Sequence, residues 1–160
     1  MFDYIFGLPM HALVIHAVVV FVPLSALAAV GYAVRPRWRR VLRWPTAVGA
    51  VISGGSAFVA AESGEQLLRR VSAVRPGTTD FALLAQHQTW GDRAKVVGFL
   101  FMVLTLALVW FVRPPEEQST RSRPIDTVLS VLAVVAAAAA TTTVVLAGHA
   151  GSAAVWHGLG

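Results

Sequence analysis

The run from Gly7 to Val34 limits what this chain can become more than any other stretch. It carries two histidines near its front, His11 and His16, and no carboxylate, lysine or arginine before Arg35. A helix rises about 1.5 Å per residue and bilayer hydrocarbon is about 30 Å thick, so about 20 such residues cross it. A soluble fold would have to bury this run on every side, whereas a bilayer accepts it as it stands. Counting about 20 residues back from Arg35 sets the hydrocarbon edge near Ile15. His16 then lies at that edge and His11 about one turn outside it, where a polar ring costs little.

Three further apolar runs follow, and composition agrees with spanning all four. Apolar residues make up 56% and charged residues 13% of the chain, against about 25% charged in soluble domains. The 160 residues leave room for one domain, with spans expected at 10–34, 45–66, 92–112 and 125–148. The fold class that follows is an all-α integral membrane four-helix bundle. Small residues four apart in the second run, Gly49 with Ser53 and Ala50 with Gly54, favour a closely packed bundle over a lone anchor. Thr141 to Thr143, after five alanines, are expected to bond back to their own helix. Residues 69–80 are expected to form an exposed loop with a turn at Pro76-Gly77, and Asp80 to cap the helix after it. That helix is either continuous or broken at Gly91.

Charge sets the orientation. Five arginines and no acid lie between Arg35 and Arg43, and Arg113, Arg121 and Arg123 flank the link before the fourth run. Basic loops stay in the cytoplasm, so both termini are expected on the extracytoplasmic side. The residues before Gly7 hold Asp3 and no Lys or Arg, so they lack the positive region of a secretory signal and the first helix is expected to be retained. The formal charge of +5 belongs to this topology signal, and nucleic acid is excluded as a partner. With no cysteine in the sequence, disulfides, thiolate metal sites and covalently attached haem are excluded as well.

Depth measured from the basic loops gathers polar residues at the outer level: His11, His16, Glu62, Glu65, His87, Asp92 and His149, with His157 in the tail. Two histidines on different helices can hold b-type haem from opposite sides. A cluster with Glu62, Glu65, Asp92 or His157 can instead hold zinc or copper, and Glu65 with a histidine can relay protons without metal. A structural membrane subunit whose histidines only bond to neighbours is the alternative of a different class. His11 and His16 point about 140° apart on a helix, so they do not chelate one ion. Gly-x-Ser-x-Gly is absent, which removes the nucleophile-elbow route to a hydrolase. Whether the protein is an enzyme stays open at this level.

The order of motifs resembles a known family. Gly7-Leu8-Pro9-Met10-His11 with Val14-Ile15-His16, then Ser63-Gly64-Glu65, then His87 with Gly91-Asp92, and finally Gly148-His149-Ala150-Gly151 through Trp156 are similar to the bacterial four-helix membrane family called domain of unknown function 2231. Family members often carry proline after the first histidine and Phe-Pro after the second, where this chain has Ala12 and Ala17-Val18. The resemblance implies a multi-pass protein of the bacterial cytoplasmic membrane. Relatives fused to Rieske or cytochrome c domains imply electron transfer with such a partner or a quinone, and haem b as cofactor ahead of zinc or copper. Matched position by position, the family's residues fall on His11, His16, Glu65, His87 and His149. The oligomeric state is left open.

Overall fold

The computed structural model describes residues 4–5, 7–74, 81–115 and 124–156. The chain opens with a minimal hairpin in which Tyr4–Ile5 (β1) pairs antiparallel with Leu8–Pro9 (β2). Gly7 turns it with φ +80°, a conformation that side chains resist. Four long helices follow: α1 Met10–Val34, α2 Arg39–Val74, α3 Phe81–Phe111 and α4 Pro124–Trp156. Pro36–Trp38 forms a 3₁₀ turn between the first two. Pro23 and Pro45 lie inside α1 and α2, as spanning helices tolerate when neighbours satisfy the freed backbone groups.

All four helices are long and apolar enough to cross a membrane, yet only 28% to 33% of each apolar stretch is buried inside the bundle. The remaining apolar surface, such as Leu27, Val41, Val103 and Val145, needs a solvent that is not water. The protein is an integral, multi-pass membrane protein with an all-α core.

Two boundaries differ from the sequence expectation, and α3 takes the continuous form of the two left open. α2 continues through Arg69 to Val74, past the expected start of the loop, because Leu67 and Leu68 with Glu65 and Arg69 let the helix go on past the apolar stretch. Glu65 bonds Arg69 one turn on, at 2.5 Å, a spacing that supports helix. α3 is one helix through Gly91. α4 runs past Gly148 to Trp156. Asp80 and the Pro76-Gly77 turn lie outside the described residues.

Packing is cyclic. α1 lies against α2 and α4, α3 lies against α2 and α4, and α1 faces α3 across a diagonal. Small residues set the approach of neighbours, as the spacing in the second run anticipates. A Cβ on Gly49 would stand 2.5 Å from Ser25 Oγ, and one on Gly54 would stand 2.9 Å from Met102 Sδ. Ser53 Oγ lies 2.9 Å from Ser25 Oγ and 3.1 Å from the carbonyl oxygen of Phe21, which ties α2 to α1. Thr141 and Thr143 do bond back within α4, to Ala137 and to Ala139 and Ala140.

The end where α1 and α3 finish is closed by side chains on backbone carbonyls. Buried Arg39 donates to the carbonyls of Tyr32 (3.2 Å) and Ala33 (3.4 Å), and the Tyr32 hydroxyl donates to the carbonyl of Val112 at 2.6 Å. Last-turn carbonyls have no partner within their own helix, so these contacts satisfy groups that α1 and α3 leave open.

Candidate functional site

The opposite end, where α1 and α3 begin, brings two histidines together. His11 enters from the first turn of α1 and His87 from the second turn of α3, and the imidazoles meet edge to face with centres 6.1 Å apart and planes at 76°. Each ring is held from the neighbouring antiparallel helix. His11 Nδ1–H donates to the Ala60 carbonyl of α2 at 2.9 Å, with Ser63 Oγ 3.5 Å away. His87 Nδ1–H donates to the Ala147 carbonyl of α4 at 2.9 Å. A carbonyl only accepts, so Nδ1 of each ring must carry the proton when this bond is made. Nε2 then keeps its lone pair, which is the form of imidazole that ligates metals.

Glycines make room for both rings. A Cβ on Gly64 would stand 2.9 Å from His11 Cε1, and a Cβ on Gly151 would stand 2.9 Å from His87 Cε1. Below the pair, Val18 and Ala94 are buried in the apolar core. Each lies seven residues beyond its histidine, so on nearly the same helix face.

The other expected site residues lie elsewhere. His16 is exposed and its ring bonds to the carbonyl of Ala12 on its own helix, at 2.6 Å. His149 is exposed on α4; two residues from both Ala147 and Gly151, it sits about 200° around the helix from the face that holds His87. Glu65 pairs with Arg69 along α2. Glu62 pairs with Lys95 across the α2–α3 interface, and the Lys95 ammonium also lies 4.6 Å from the centre of the Phe58 ring. Asp92 is exposed, and His157 lies outside the described residues. Among the described residues no three His, Asp or Glu side chains stand close enough together to hold one ion.

Ala60, Ser63, Gly64, Ala147 and Gly151 complete the site, and residue type alone does not mark them out. Three of them, Ser63, Gly64 and Gly151, sit inside the motifs quoted above, the first two just before Glu65 and the third two residues after His149. Within these motifs an added Cβ on either glycine would meet a ring, and Ser63 Oγ lies 3.5 Å from His11 Nδ1.

The chain belongs to the family described as "Predicted membrane protein (DUF2231)", whose family model matches residues 7–159. Neither a curated protein nor a solved structure matches it.

Proposed function

We propose that this protein is a membrane electron-transfer module in which His11 and His87 would hold b-type haem. The observation that carries the reading is the donor set: two imidazoles from diagonally opposed helices, each with Nδ1–H engaged by a carbonyl and Nε2 left as a ligand nitrogen. Zinc asks for three or four protein ligands, whereas haem brings four nitrogens of its own and asks the protein for two. The two-imidazole set therefore favours haem over the zinc or copper reading.

When bound, haem supplies a one-electron couple. The chain's own residues hold and tune it. The Ala60 and Ala147 carbonyls fix tautomer and ring orientation and raise the basicity of Nε2, while Val18 and Ala94 keep the side below the pair apolar. The electron partner would approach at this end of the bundle. A Rieske or cytochrome c type domain, or a quinone in the adjoining lipid, are the candidates the family resemblance implies.

A second reading is favoured by the same hydrogen bonds: the two rings clamp α1 to α2 and α3 to α4 with no cofactor, in a structural subunit. Absorption spectra of the purified protein, oxidised and reduced, separate the two. A Soret band with reduced α and β bands, lost or shifted in His11→Ala and in His87→Ala, supports the haem reading; protein without pigment after expression with ample haem supports the clamp.

A further inference from the structure

The two halves of the bundle repeat one plan. Moving 76 positions along the chain carries His11 onto His87 and six of the seven buried α1 residues, Val18, Val22, Ser25, Ala29, Tyr32 and Ala33, onto the buried α3 residues Ala94, Gly98, Phe101, Thr105, Leu108 and Val109. Moving 87 positions carries α2 onto α4 in the same way: buried Arg39, Thr46, Ala50, Ser53, Ala57 and Ser63 fall on buried Asp126, Ala133, Ala137, Ala140, Val144 and Ala150. That second shift also carries Ala60 onto Ala147 and Gly64 onto Gly151, so the carbonyl acceptor and the glycine four residues after it recur in both halves. The distances recur too. Nδ1 to carbonyl is 2.9 Å in each, and the added Cβ would meet ring Cε1 at 2.9 Å in each.

Helix geometry explains why a glycine belongs at that offset. Each Cα–Cβ bond leans toward the helix N-terminus, so the side chain of residue i+4 lies over the turn that carries carbonyl i. A carbonyl inside a helix keeps a second lone pair, and a ring as bulky as imidazole can approach it here because a Cβ on the residue four positions on would stand 2.9 Å from ring Cε1 in each hairpin. We propose that Gly64 and Gly151 are the positioning residues of the His11–His87 pair, one in each of two equivalent helical hairpins, and that by uncovering the Ala60 and Ala147 carbonyls they hold both imidazoles as Nδ1–H tautomers. The proposal rests on the haem reading only for what Nε2 then does; the positioning stands whether or not a cofactor binds.

The test uses the full chain in nanodiscs without haem, labelled with ¹⁵N-histidine, and reads tautomers from ring nitrogen resonances. Gly64→Ala should move the His11 signals alone and Gly151→Ala those of His87 alone. Gly55→Ala and Gly148→Ala, where an added Cβ meets nothing within 4 Å, should move neither. A double-mutant cycle in thermal melting covers the case in which a seat variant folds poorly: Gly64→Ala should lower Tm in the parent and leave it unchanged in the His11→Ala background, with Gly151 and His87 behaving alike. The proposal is overturned if Gly64→Ala leaves the His11 tautomer in place, or if it lowers Tm as much without the ring as with it. A colourless protein that passes both tests would remove the haem reading and leave the positioning intact.

Discussion

His11 and His87 stand on helices that face each other across the diagonal of the bundle, and their rings are nevertheless in edge-to-face contact at 6.1 Å. Each is drawn to the centre by a bond to the antiparallel helix beside it, so four helices converge on one pair of imidazoles. The pair and the charged loops together lead to four expectations.

Replacing His11 by alanine should have far larger consequences than replacing His16. The first variant loses a part-buried interhelical bond, a change that costs about 0.5–1.5 kcal/mol because Ser63 Oγ still donates to the Ala60 carbonyl at 3.1 Å, and on the haem reading it loses a ligand. The second loses a bond within its own helix on an exposed face, and should keep melting temperature and haem occupancy. Equal losses of pigment in the two variants would contradict this assignment.

Gly49→Ala should destabilise the bundle by about 1–3 kcal/mol, because the new Cβ overlaps Ser25 Oγ and the contact is overpacked. Adding Ser25→Ala removes the closest overlap and should restore part of the loss. Gly55→Ala, with open space around it, should be neutral or stabilising by about 0.5–1 kcal/mol through helix propensity. Thermal melting in detergent ranks the three.

Tyr32→Phe keeps the packing of a fully buried ring and deletes the hydroxyl that donates to the Val112 carbonyl at 2.6 Å. The expected loss is about 1–3 kcal/mol, since the carbonyl stays buried without that donor. The effect should appear in melting temperature and leave ring signals of His11 and His87 unmoved, as they lie at the other end of the bundle.

Topology can be read by cysteine labelling, because the chain has no cysteine of its own. If basic loops stay in the cytoplasm, Ser152→Cys should react with an impermeant maleimide on intact cells and Arg40→Cys should not. The opposite pattern would place the histidine end in the cytoplasm.

The sequence by itself determined the number of helices, the apolar stretch of each and the ends at which polar groups collect, while α2 and α4 run on past those stretches. Hydrocarbon thickness is an external ruler, so apolar length and charged ends are enough to set each span. It also supplied the close contacts of Gly49 and Gly54, since small residues four apart mark a face wherever the helix is placed. Depth put both His11 and His16 in the outer layer, about one turn apart, and did not show their difference in azimuth. Only the packing of α1 against α2 decided that His11 turns inward and His16 outward. The same holds for Glu65 and His149, which stand beside Gly64 and Gly151 in the motifs while the glycines carry the contact. The repeat of the two hairpins was hidden for a related reason: matched positions share burial and not residue type, as Ser25 with Phe101, Tyr32 with Leu108 and Arg39 with Asp126 show. A bilayer selects for apolar length along each helix, but which face meets which neighbour depends on contacts between residues 49 to 60 positions apart, and those exist only in the folded bundle.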